Sequence, residues 1–126
     1  MRQTQTELLR AVNSDVRMYI NDAGFFNRLV TVGAIICALT RCHGRAHWLD
    51  VANDAGNILR LPIETMSTPC KDEPNRSTWE RECSFAYADV LVKQKVCLPH
   101  ETTGRGIWQF APNVAPETPD YSKLKS

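Results

Sequence analysis

Apolar residues at Leu8, Leu9, Val12, Val16, Tyr19 and Ile20 recur at helical spacing and predict an amphipathic helix over Thr4 to Ile20. Asn21, Asp22, Ala23 and Gly24 then supply a stop, glycine being the residue that most readily takes a left-handed cap. The next segment carries Phe25, Phe26, Leu29, Val32, Ile35, Ile36 and Leu39 and predicts a mostly buried helix over 29–42, closed by Gly44. Gly33 inside it costs roughly 1 kcal/mol against alanine, which points to a close helix contact.

The stretch "RAHWLDVANDAGNILRLP" predicts a very short strand at 45–46 and a helix over 47–56 with Trp48, Val51, Ala52 and Ala55 inward. Asn53 to Asn57 is a poor helix interior, so this element ends at Gly56 or runs on raggedly to Leu61. Pro62 to Asn75 is polar and broken by two prolines, a long loop. Ser77 and Thr78 can cap a helix over 76–94, with Glu80 and Glu82 favourable in its first turn. Its expected apolar stripe is Trp79, Phe85, Ala88, Leu91 and Val92.

Val96 to Leu98 and Ile107 to Phe110 then predict two strands joined by a turn over Pro99 to Gly106. Alternation puts Trp108 and Phe110 on one face, expected to pack on the helices, with Ile107 and Gln109 on the other. From Ala111 onward three more prolines and few apolar residues predict a linker or flexible tail. The expected organisation is a helix in 1–24, a domain over 25–110 and a tail over 111–126, in the α+β class and mainly helical.

A chain of 126 residues fits one domain and a tail. With 43% hydrophobic and 23% charged residues it is expected to be soluble and globular. The net charge of +1 argues against a diffuse, non-specific nucleic-acid binder, so any such role needs a local basic patch. There is no apolar run long enough for a membrane span, and "MRQTQTELLR" has no signal-peptide core. Five cysteines (Cys37, Cys42, Cys70, Cys83 and Cys97) without a CxxC pair lead us to expect reduced thiols and a cytoplasmic location.

"SFAYADVLVKQKVCLPHETTGRGIWQFAP" resembles the amino-terminal winged-helix domain of Mrr-type restriction proteins. Tyr87, Ala88 and Leu91 match the aromatic, alanine and leucine that punctuate that family's last helix, and Arg105, Gly106, Ile107 and Trp108 match its wing strand. "ALTRCHGRAHWLDVAN" is similar to the family's passage from first to second helix, with Gly44 at the bend and Trp48 in the core. The resemblance implies a winged helix-turn-helix with an extra N-terminal helix and a C-terminal β-hairpin wing. Two departures stand out: "KQKVCL" lacks the glycine usual before the first wing strand, and the nuclease domain typical of the family is not part of this sequence.

For function, the resemblance implies a module that binds double-stranded DNA in a sequence- or modification-dependent way, as a regulator or as the recognition part of a restriction system. A winged helix places its third helix in the major groove and its wing on the backbone. The non-core positions of that helix include Arg76, Ser77, Glu80, Arg81, Ser84, Tyr87 and Lys93. Arg76, Ser77 and Arg81 are the first candidates, at the turn that recognition helices insert, with Ser84 and Lys93 further along. Arg105 at the wing tip is next, with Thr102 and Thr103 as phosphate partners.

Against this, Asp72, Glu73, Glu80, Glu82, Asp89 and Glu101 offset Lys71, Arg76, Arg81, Lys93, Lys95 and Arg105. A winged helix that docks a protein and binds no DNA is therefore the alternative. "CHGRAH" offers Cys42, His43 and His47 as ligand types without a second pair at zinc spacing, so no metal or cofactor is expected. Cys97 with His100, or Cys42 with His43, would be the first catalytic suspects, but no orienting third group accompanies either, and no enzyme is expected. The first helix needs somewhere to bury its stripe, either on its own domain or against a second copy. The two-fold symmetry of many operators favours a homodimer through it and Phe25 to Leu39.

Overall fold

The computed structural model describes residues 2–22 and 24–124, with side chains from Thr6 onward. The stop residue Ala23 and the outer ends of the expected first and last segments, at Met1, Lys125 and Ser126, lie outside the described residues. Helix α1 (Arg2–Asn21) turns Val12, Val16 and Tyr19 inward onto α2 (Arg28–Arg41), every residue of which from Val30 to Leu39 is buried. Asn27 joins the two helices. Its side-chain oxygen accepts the Val30 N–H as the cap of α2, while its amide donates to Asp15 Oδ2 at 2.8 Å.

Within the chain the inward stripe of α1 is met by α2, while Met18 and Phe26 of the segment expected to form a homodimer stay exposed. Gly33 supplies the close approach its position implied: a methyl group there would stand 2.5 Å from the Tyr121 hydroxyl and about 3 Å from Val12 and Val16.

A glycine-poor set of helix ends follows. After α2 the chain reverses with His43 at φ 59° and Gly44 at φ 90°, and the Gly44 N–H reaches the Leu39 carbonyl at 2.8 Å. Strand β1 (Arg45–His47) leads into α3 (Trp48–Ile58), which passes through Gly56 without a break. Gly56 lies against Met66 and the indole of Trp79, and Trp79 Nε1 donates to the Ala52 carbonyl at 2.8 Å. Arg60, also left-handed at φ 59°, closes α3. Within the expected loop a short helix, α4 (Ile63–Ser67), precedes α5 (Thr78–Ala86).

Helix α5 continues as a π-helical segment over Tyr87–Val92. Its buried residues Trp79, Cys83, Tyr87 and Leu91 are each four apart, a spacing that drifts about 40° per step in an α-helix of 3.6 residues per turn. The wider π turn brings Leu91 back beneath Tyr87. The expected stripe is corrected accordingly: Phe85 and Ala88 are exposed, while Cys83, Ala86 and Tyr87 take the inward positions. The glycine missing after this helix is replaced by Lys95, left-handed at φ 63°.

Strand β2 (Ile107–Gln109) pairs antiparallel with β1, Ala46 opposite Trp108. On its other side residues 96–98 lie antiparallel to 109–111. Leu98 N–H donates to the Gln109 carbonyl at 2.9 Å and Ala111 N–H to the Val96 carbonyl at 2.8 Å. The expected turn between them holds one short helix, α6 (His100–Thr103). The whole is mainly helical with a small antiparallel sheet, and no helix of the described residues is long and apolar enough to cross a membrane.

The segment expected as a flexible tail carries no helix or strand among its described residues, but it packs on the body. Tyr121 and Leu124 are buried, the Tyr121 hydroxyl donates to the Val30 carbonyl at 3.2 Å, and the Cys37 thiol donates to the Pro119 carbonyl at 3.3 Å. Turns at 111–114 and 121–124 shape this strap, and Tyr121 and Leu124 seat it.

Candidate nucleic-acid interface

The region that brings the candidate residues together is built on Trp48 and Trp108. Trp108 is buried, its ring stacked on Tyr87 with centroids 4.3 Å apart and planes within 5°, and tilted against Trp48 at 6.0 Å. Tyr87 locks the sheet to the helix: its hydroxyl donates to the Leu98 carbonyl at 2.5 Å and accepts from the Gln109 N–H at 3.1 Å. Burial pushes its phenol well above the ordinary tyrosine range. Tyr87 was expected among the non-core positions of its helix; it is a core residue that follows Cys83 and Ala86 on the buried face of α5.

The Trp48 N–H donates to the Gly106 carbonyl at 2.8 Å, and the Arg76 guanidinium stands over the Trp48 ring at 5.7 Å. Arg76, just before the cap of α5, and the glycine-flanked turn that carries Arg105 therefore meet at one residue, Trp48, the first through its ring and the second through its backbone. Arg105 and Thr102 are exposed there. Thr103 is half-buried, and its hydroxyl donates to the Ile107 carbonyl at 2.7 Å, so it holds the turn together. At the far end of the same helix Lys93 is exposed and Ser84 half-buried.

Ser77 is drawn inside as the cap of α5. Its hydroxyl accepts the Glu80 N–H at 3.0 Å, and Glu80 returns a bond to the Ser77 N–H at 2.9 Å. We expect Ser77→Ala to lower the unfolding free energy by about 1 kcal/mol in a urea titration, since the hydroxyl that accepts the Glu80 N–H is lost while the bond from the Ser77 backbone N–H to the Glu80 carboxylate remains. A loss below about 0.3 kcal/mol would show that the cap is not needed.

The two arginines nearest the cap are not bare. Arg81 Nη1 lies 2.8 Å from Asp72 Oδ1 and 3.8 Å from Glu73, and Arg76 Nη1 lies 3.8 Å from Glu73. The Asp72 carboxyl sits below its ordinary range, first through a hydrogen bond from its own backbone and then through Arg81. On another side of α5, Arg28 of α2 reaches Glu82 at 3.0 Å and Asp89 at 3.8 Å and covers Phe85. The partners of Arg28 come from an element 54 residues away, so no local signal in the sequence marks them. Trp48 as the meeting point is equally a product of the fold.

The catalytic suspects are separated by environment. Burial pushes the Cys97 thiol far above its ordinary value and the Cys37 thiol up to about 11, whereas His100 is exposed beside Glu101 at 3.4 Å. Cys42 and His43 form the turn after α2, and His47 caps α3 by accepting the Leu49 N–H on Nδ1. No group of three or more potential metal ligands is assembled among the described residues. Comparison with known protein families, with curated proteins and with solved structures gives no match.

Proposed function

We propose that the chain is a winged-helix module that binds duplex DNA, with α2, α3 and α5 as its three helices and 99–106 as its wing, as the resemblance to Mrr-type restriction proteins implies. The observation that carries the reading is the strand order. β1 follows the first of the three helices yet pairs with the last strand, leaving 96–98 on the outer side of β2. That order sets the 99–106 turn beside the start of α5, joined through Trp48. In this reading α5 enters the major groove with Arg76, Arg81 and Ser84 towards base edges and phosphates, Lys93 flanks it, and Arg105 with Thr102 lies on the backbone. Ser77 and Thr103 hold the surface in shape.

Four phosphate contacts, from Arg76, Arg81, Lys93 and Arg105, would weaken binding on the order of a hundredfold between about 50 and about 200 mM salt. The test is a fluorescence-anisotropy titration of duplexes of varied sequence, modified bases included, across that range. Arg105→Ala is expected to weaken binding to all of them and to reduce the salt slope by about one. If no duplex is bound at low salt, DNA is not the ligand.

A second reading, docking to a protein, draws on a different observation. Acidic partners neutralise Arg76, Arg81 and Arg28, and an apolar cleft of about 370 Å3 lined by Tyr19, Phe26, Leu61 and Trp79 opens beside α5. Salt-independent binding of a stoichiometric protein partner, lost when Phe26 is replaced by a charged residue, would favour it over DNA.

A further inference from the structure

Asp72 and Glu73 sit at the tip of a loop whose neck is stitched shut. Pro69 and Ser77 are bridged, the Cys70 N–H donates to the Arg76 carbonyl at 2.9 Å, and the Thr78 N–H donates to the Thr68 carbonyl at 2.8 Å. Beyond that neck, residues 71–75 are exposed; the Glu73 carbonyl accepts the Arg76 N–H at 3.0 Å, and the acidic side chains reach Arg76 and Arg81. The carboxylates of Asp72 and Glu73 can therefore turn away without unfolding the base.

We propose that this tip is an electrostatic latch: Asp72 and Glu73 occupy the guanidinium groups that a DNA backbone would take, and an incoming pair of phosphates displaces them. The inference rests on the DNA-binding reading and adds a regulation to it. A guanidinium pairs with carboxylate and phosphate oxygens alike, so Asp72 Oδ1, 2.8 Å from Arg81 Nη1, stands where a phosphate oxygen would. The latch fits incompletely. Both Glu73 contacts are 3.8 Å long, too far for a hydrogen bond. Phosphates brought against the same face meet donors the loop leaves unused. The latch restrains indiscriminate binding to any polyanion and yields where several phosphates arrive in register with the wing.

The experiment is a double-mutant cycle on the full chain. A 20-base-pair duplex is a suitable probe, titrated at about 50 mM salt. Asp72→Asn with Glu73→Gln is expected to bind about three- to tenfold tighter than the parent, the range set by exposed ion pairs. Glu7→Gln with Glu117→Gln, an equal change of net charge elsewhere, should gain less than about twofold. Arg81→Ala should cost more affinity in the Asp72→Asn, Glu73→Gln background than in the parent, because only there is the guanidinium unencumbered. Equal gains from both pairs of substitutions, or equal costs of Arg81→Ala in both backgrounds, would overturn the latch while leaving DNA binding intact. If parent and variant alike ignore every duplex, the DNA reading falls and takes the latch with it.

Discussion

Trp108→Ala is expected to lower the unfolding free energy by about 3–5 kcal/mol, measured by urea denaturation with far-ultraviolet circular dichroism. The side chain is buried between Tyr87 and Trp48, so truncation leaves two large rings facing an empty space. Stacked aromatic pairs add about 0.5–1.5 kcal/mol each beyond the area they bury, and this residue takes part in two aromatic contacts. A domain of this size holds roughly 5–15 kcal/mol in all, so the variant should unfold with little denaturant. Trp108→Phe should recover more than half of the loss, because a smaller ring can still stack on Tyr87. A loss under about 1 kcal/mol for the alanine variant would mean that the sheet is not held to the helices in this way.

The second large effect is expected at the other end of the chain. Tyr121→Ala should cost about 3–4 kcal/mol, nearly as much as a central core aromatic, although it lies in a proline-rich segment without secondary structure. The ring fills the space over Gly33 between α1 and α2, and its hydroxyl reaches the Val30 carbonyl. Tyr121→Phe removes only that hydrogen bond, and about 1 kcal/mol should be lost. Gly33→Ala is a complementary probe. The new methyl would meet the tyrosine hydroxyl at 2.5 Å, and this overpacking of about 1–3 kcal/mol opposes the roughly 1 kcal/mol gained in helix propensity. Thermal unfolding of the three variants decides the matter. Stability within about 0.5 kcal/mol of the parent for Tyr121→Ala would show that the strap is not seated.

The helices and strands were legible because their causes are local. Val12, Val16 and Tyr19 announce their shared face by spacing alone, and Ser77 with Glu80 marks a helix start from four consecutive residues. Alternation placed Trp108 inward correctly. What escaped were features decided by distant partners. Phe85 looks like a core residue, but in α5 the inward face falls on Trp79, Cys83 and Ala86, leaving Phe85 under Arg28. Pairing of Arg81 with Asp72 depends on a loop folding back over a helix, which no periodicity encodes. Tyr121 is a single aromatic among prolines, and composition alone gives it nothing to bury against. The missing glycine at Lys95 shows the converse: the turn survives there because the surrounding bonds hold an ordinary residue in a left-handed conformation at a cost of about 1 kcal/mol.

The seat of Tyr121 also has a temporal meaning. A ribosome releases residue 12 long before residue 121, yet both press on the same glycine. The two N-terminal helices therefore emerge with part of their interface uncovered, and that cleft closes only once Tyr121 has been made. During synthesis this leaves an apolar seam between α1 and α2 of the sort chaperones recognise. Interruption of synthesis before Tyr121 would leave the seam open, turning a translational error into an aggregation-prone product.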